Sequence, residues 1–124
     1  MWWNNYIGIP YEEWGYDRSG LNCYTLTRLI QMEVFGKHMP RHDDNLYDVE
    51  AKKALGHPIP LEEAVSGDVL HMFAIENGKR VDTHIATVTE PGKCIHILKD
   101  TNSCIVDYRK QPWKNFVIGA YRVD

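Results

Sequence analysis

The sequence predicts an α+β fold in which N-terminal helices pack on an antiparallel β-sheet. Two observations carry this: apolar residues recur mostly at helical spacing up to about residue 66, and beyond it short β-branched segments alternate with turn residues. The composition fits one globular unit, since 124 residues with 44% hydrophobic and 25% charged side chains can bury a core and leave room for a cleft. No repeat, low-complexity tract or Gly/Ser linker interrupts the chain, so residues 1–124 are expected to form a single domain.

The clearest helix is predicted from Cys23 to Phe35, where Leu26, Leu29, Ile30 and Val34 share one face. Asn22 is its N-cap and Gly36 its stop. A weaker helix, from Leu46 to Leu55, follows Asp43-Asp44-Asn45 and ends before Gly56-His57-Pro58. Val69 to Ile75 reads as a buried strand, and Asn77-Gly78 as a tight hairpin turn. Strands at His84–Thr89 and Cys94–Leu98 flank Pro91-Gly92, a type II turn pair; Ile105–Tyr108 and Phe116–Arg122 are the last two.

Several functions are disfavoured at once. Fourteen basic and seventeen acidic residues give a net charge of -3 with no basic stripe, so nucleic acid is not an expected partner. No apolar run approaches the ~20 residues of a membrane span. Met1-Trp2-Trp3-Asn4-Asn5-Tyr6 lacks a basic start followed by an apolar run, so no secretory signal is expected. Six large aromatics, Trp2, Trp3, Tyr6, Tyr11, Trp14 and Tyr16, crowd the first sixteen residues; burial against the helix is the better default over sugar stacking.

Three cysteines, Cys23, Cys94 and Cys104, are too few for a disulfide scaffold. Cys23 differs from the others because it opens the best helix, where the macrodipole and unpaired N–H groups favour a thiolate. A nucleophilic thiol also needs an imidazole to take and return its proton, and a third group to orient that imidazole. His84 opens a strand and His96 follows twelve positions later on the returning strand. Taken singly, a cysteine at a helix start is more often apolar filler and a strand histidine more often a wall residue. A zinc site from His84, Cys94, His96 and Cys104 matches no common module, and two half-buried thiols is the preferred reading of Cys94 and Cys104.

The combination resembles the NlpC-type cell-wall peptidases, small papain-like cysteine enzymes. The residues that carry the likeness are Gly8-Ile9-Pro10-Tyr11, Gly20-Leu21-Asn22-Cys23-Tyr24, Ser66-Gly67-Asp68-Val69-Leu70, Thr83-His84-Ile85-Ala86 and Ile95-His96, in the family's order and over nearly the whole chain. The resemblance implies a papain-like α+β fold, Cys23 as nucleophile, His84 as general base and acid, and His96 as the residue that orients His84. It also implies Tyr11 beside the nucleophile, holding substrate or oxyanion, and requires no metal or organic cofactor. The run Val34-Phe35-Gly36-Lys37-His38-Met39-Pro40 is most similar to the stand-alone members encoded with phage tail genes.

Two positions depart from the family. The usual acidic residue before the cysteine is Asn22 and the usual small serine after it is Tyr24. Where the family binds the free amino end of a short stem peptide through those positions, Asn22 and Tyr24 point to an uncut or cross-linked stem instead. Chain order, cysteine before histidine, favours the peptidase branch over the permuted relatives that act on lipids. One geometric expectation conflicts with the triad: a simple Pro91-Gly92 turn pairs Thr87 with His96 and sends His84 to the other face, so a bulge is needed.

The expected function is hydrolysis of an amide bond in peptidoglycan stem peptides, with the bond from D-glutamate to diaminopimelate as the target the resemblance implies. The expected setting is synthesis in the cytoplasm and action in the wall or periplasm, as a phage tail component or a delivered protein alongside other tail or delivery-machine proteins. The alternatives are a non-catalytic tail-assembly or wall-binding module of the same fold, or a delivered amidase toxin.

Overall fold

The computed structural model describes residues 1–41 and 55–124. The chain begins with a 3-10 helix, Trp2–Tyr6, and a small hairpin of strands Tyr16–Asp17 (β1) and Gly20–Leu21 (β2). The hairpin delivers the chain into the helix Cys23–Glu33 (α1). This helix is two residues shorter than its apolar spacing predicts, because Val34 is its C-cap and Phe35 turns away to meet Trp2 edge-on at 5.5 Å. Gly36 follows with φ +64°, the left-handed conformation that ends a helix cheaply. Apart from Leu55, which is buried in a turn, the helix predicted over 46–55 lies outside the described residues.

A six-stranded antiparallel sheet forms the rest: His57–Ile59 (β3), Val69–Glu76 (β4), Lys79–Glu90 (β5), Lys93–His96 (β6), Cys104–Asp107 (β7) and Val117–Arg122 (β8), in the order β3-β8-β4-β5-β6-β7. The expected α+β layout is therefore present. β5 begins five residues earlier than its apolar pattern predicts, since the Asn77-Gly78 turn, with φ +52° and +76°, pairs polar Lys79 and Arg80 back onto β4. β6 ends two residues early, at His96. Short strands β1, β2 and β3 lack alternation long enough to read from sequence. Among the described residues no helix is long and apolar enough to cross a membrane.

The sheet is buried on both faces. Ile85, Thr87 and Ile95 lie under α1, packed with Tyr24, Leu26 and Ile30, and Thr87 Oγ1 meets Thr27 Oγ1 at 3.5 Å. Leu70, Met72, Ala86, Val88 and Cys94 fill the other face with Tyr108 and Ala120. Because side chains alternate, a one-residue slip would exchange these two sets.

The register shifts between β4 and β5, between β4 and β8, and between β5 and β6, and the last of these sets the facing of the two histidines. Glu90 pairs with Lys93 across the turn, but the next pairs are Val88 with Cys94 and Thr87 with Ile95, so Thr89 has no partner and forms a bulge. Thr87 does not face His96. Carried one pair further, this register sets His96 level with Ala86, on the same face as His84.

The Ser66-Gly67-Asp68 segment locks the start of β4. The Gly67 N–H donates to Val88 O at 2.9 Å, its carbonyl accepts from Gln31 Nε2 at 2.8 Å, and the Asp68 carboxylate accepts from Val65 N and from Arg122. Gly67 has φ +93°, and a Cβ there would stand 2.8 Å from the Phe35 ring. Gly67→Ala is expected to lower folding stability by about 1–3 kcal/mol through the strained backbone, read as an earlier urea midpoint with unchanged far-UV circular dichroism.

Candidate active site

The site begins with how Asn22 caps α1. The Asn22 side-chain oxygen accepts from Thr25 N at 2.9 Å, and Thr25 Oγ1 accepts from Asn22 N at 2.9 Å, a reciprocal capping box. Asn22 Nδ2 donates to Glu13 O, and the residue is 1% exposed. Its side chain is thus spent on holding the helix start. Tyr24 is likewise buried, its hydroxyl donating to Pro40 O at 2.6 Å. The positions before and after Cys23, singled out for substrate binding, both serve to fix the helix.

Between them, Cys23 occupies the first helical position. It is half-buried, and its thiol reaches 4.0 Å from the carbonyl of Thr83. Backbone N–H groups of Ile85, Tyr24 and Cys23 itself also point at the sulfur and favour the thiolate, but burial outweighs them and pushes the thiol up to about 11. Thr83 C=O and Ile85 N–H lie on the same edge of β5, because alternate residues of a strand direct their backbone groups alike. The sulfur therefore sits at the edge of β5, beside the backbone that carries His84 and past the last residue of β6.

His84 and His96 form a closed pair. His84 Nε2 lies 2.8 Å from His96 Nδ1, both residues are at most 5% exposed, and the rings meet at 63°. Burial lowers His84 to about 3, helped by the neighbouring His96, and burial lowers His96 to about 4. With Nε2 committed, Nδ1 is the His84 nitrogen left for proton exchange. Accepting a proton there requires the resting hydrogen on Nε2, donated to His96 Nδ1. His96 then carries its own hydrogen on Nε2, a buried atom without a hydrogen-bond partner among the described residues, and the Trp113 ring stands 4.9 Å from the His96 ring at 88°. An N–H over an aromatic ring is a weak interaction, yet a protonated Nε2 is the tautomer this setting tolerates best.

Tyr11 enters from the N-terminal layer. It bridges to Leu21 and donates its backbone N–H to Thr101 O at 3.0 Å, and it packs in the cluster that includes Cys23. The structure thus brings Tyr11 and Cys23 into one cluster and places the Cys23 sulfur against the strand of His84. Among the described residues the thiol and the imidazole share no hydrogen bond. Cys94 is buried, Cys104 exposed, and no three His, Cys, Asp or Glu side chains among the described residues gather as metal ligands.

Two residues at the site escape sequence reading. Trp113, beside His96, comes from a 3-10 turn at Trp113–Phe116. Glu76, whose charge is felt at Cys23, reads in sequence as part of a hairpin turn. Neither has a local signal, since both arrive from segments distant in the chain.

Solved structures share this architecture. The NlpC/p60 domain of the peptidoglycan hydrolase SagA matches with a TM-score of 0.67 and 26% identity over 97% of this chain and 92% of that one. A protein similar to lipoprotein, of the NLP/P60 family, from Staphylococcus aureus matches with a TM-score of 0.71 and 25% identity over 96% of this chain. An NlpC/P60 family protein from Bacillus cereus has a TM-score of 0.72 at 23% identity over 97% of this chain, a likeness of fold. The chain spans 38% of the Staphylococcus protein and 37% of the Bacillus one. No protein-family model matches the sequence, and no curated protein matches it either. The fold is the NlpC/P60-like α+β fold, one helix packed against a six-stranded antiparallel sheet.

Two outcomes follow from the buried groups. Both imidazoles stay neutral in the folded protein but titrate near 6.5 when unfolded, so the unfolded chain binds protons first as pH falls. Stability is complete above about 6.5 and is lost as pH drops toward 4 and then 3; urea titrations at stepped pH should show this loss, and His84→Gln should make it shallower. Asn22→Ala, by removing the cap, is expected to cost about 1 kcal/mol in the same assay at neutral pH, where Asn22→Asp retains most of the stability.

Proposed function

We propose that this chain is a cysteine hydrolase that cleaves an amide bond in peptidoglycan stem peptides through an acyl-enzyme on Cys23. The observation that carries the reading is His84, 2.8 Å from His96 of β6, on the strand β5 whose edge holds the sulfur of a helix-opening cysteine. The likeness to the SagA domain, itself described as part of a peptidoglycan hydrolase, supports the substrate class. The bond from D-glutamate to diaminopimelate is the proposed target, and a phage tail or delivery machine the proposed carrier. The bond is the usual target of the family that the chain resembles, and the carrier rests on the resemblance of the Gly8–Tyr11 and Val34–Pro40 runs to its phage-tail members.

In this mechanism the resting pair is neutral, because burial raises the thiol and lowers the imidazole. The S–H proton moves to His84 Nδ1 as sulfur bonds to the substrate carbonyl carbon, and the N–H groups at the start of α1 receive the developing oxyanion. When the tetrahedral species collapses, the C–N bond breaks and His84 returns the proton to the departing amine. Water then attacks the thioester, giving its proton to His84, and the acid product leaves with the Cys23 thiol restored. His96 keeps the His84 ring in register throughout, and Tyr11 flanks the substrate.

A second reading, a non-catalytic module of this fold, draws on one observation: the resting thiol and imidazole share no hydrogen bond among the described residues. Digestion of purified peptidoglycan separates the two. Wild-type protein is expected to release muropeptides whose masses identify the cleaved bond, while Cys23→Ala and His84→Ala fall to background with native circular dichroism. His96→Ala should retain a small residual rate. Release unchanged in Cys23→Ala, or none from wild-type protein, would reject the hydrolase.

A further inference from the structure

A cavity of about 290 Å³ opens on the side of His84 away from α1. Phe73, Trp113 and Phe116 form its aromatic wall, with Phe73 and Phe116 rings 4.8 Å apart and Trp113 and Phe116 rings 5.7 Å apart. Its charged groups are Glu76 at the end of β4, and Lys99 and Asp100 on the loop after β6. Lys99 and Asp100 are exposed, whereas Glu76 is half-buried. The nearby Arg80 guanidinium lies 4.0 Å over the Phe73 ring and is bonded to Asp82. Glu76 lines the cavity, and among the described residues it has no ion pair and no side-chain hydrogen bond.

A half-buried carboxylate beside aromatic faces is the chemistry that selects an ammonium group, by ion pairing and by attraction of the cation to the rings. We infer that this cavity is a subsite for a substrate ammonium group, with Glu76 as the specificity-determining residue. The inference rests on the hydrolase reading above and names what its substrate must carry next to the bond that is cut. Glu76 is close enough to the reacting sulfur for its charge to raise the thiol further, which places the bound cation within electrostatic reach of the thiolate as it forms. An ammonium seated there would offset the carboxylate and ease ionisation of Cys23, coupling recognition to reactivity. In a stem peptide the ammonium is either the terminal α-amine or the side-chain amine of the diamino acid.

Calorimetric binding to Cys23→Ala protein, which removes turnover, tests this with three peptides: L-alanyl-γ-D-glutamyl-diaminopimelate, the same peptide acetylated on its terminal amine, and the same peptide acetylated on the side-chain amine. One acetylation is expected to weaken binding about tenfold, and which one does so names the source of the ammonium. Glu76→Gln in the same background should weaken the parent peptide about tenfold and leave the affected acetylated peptide unchanged. Equal affinity of the Glu76→Gln protein for the parent peptide, or indifference to both acetylations, would overturn the subsite while leaving the hydrolase standing. Failure of all three peptides to bind would likewise overturn the subsite, while digestion of intact peptidoglycan judges the hydrolase separately.

Discussion

The site depends on one residue that has no cross-strand partner. Thr89 adds a single position to β5 between the Pro91-Gly92 turn and the pair of Val88 with Cys94, and that insertion reverses the facing of everything upstream relative to β6. Without it His84 and His96 would lie on opposite faces of a sheet that is buried on both sides. With it they share a face and close a 2.8 Å hydrogen bond. A bulge costs ladder regularity, and here that cost secures the one contact between two residues twelve positions apart.

The second constraint is that the thiol and the imidazole arrive from different sides of the sheet. α1 covers the face of Ile85 and Thr87, while His84 projects with Ala86 from the other, so the two cannot meet across the sheet. The Cys23 sulfur lies instead at the edge of β5, against the backbone on either side of His84. β6 stops at His96, which leaves the β5 backbone at Thr83 and Ile85 unpaired on that side, and the Cys23 sulfur takes the vacated place. The early end of β6 and the anchored start of α1 are thus two parts of one arrangement. Asn22 and Tyr24 serve it by holding the helix end rigid.

Burial gives this arrangement its resting state. Removing the sulfur and both rings from water disfavours every charged form, so the groups wait neutral: the thiol near 11, the imidazoles near 3 and 4. In the proposed mechanism, charge separates only when a substrate carbonyl carbon is present to take the sulfur. A carboxylate at Glu76 adds to that delay, and the cavity it lines lies on the side of His84 remote from the helix.

The sequence alone was sufficient for the α+β layout, for α1 with its cap and Cys23 as its first residue, for the Asn77-Gly78 and Pro91-Gly92 turns, and for His84 and His96 on neighbouring strands, because each is marked by local periodicity or turn chemistry. It also posed the facing conflict between His84 and His96 correctly, since alternation along a strand is a local rule. Tertiary structure decided what local rules cannot reach. Register is set by the packing of both sheet faces at once, so only the folded sheet could place the extra residue at Thr89. Whether a polar side chain faces a cleft or is consumed in holding the fold depends on distant neighbours, which is why Asn22 and Tyr24 turned inward while Glu76 and Trp113, unmarked in the sequence, came to line the site.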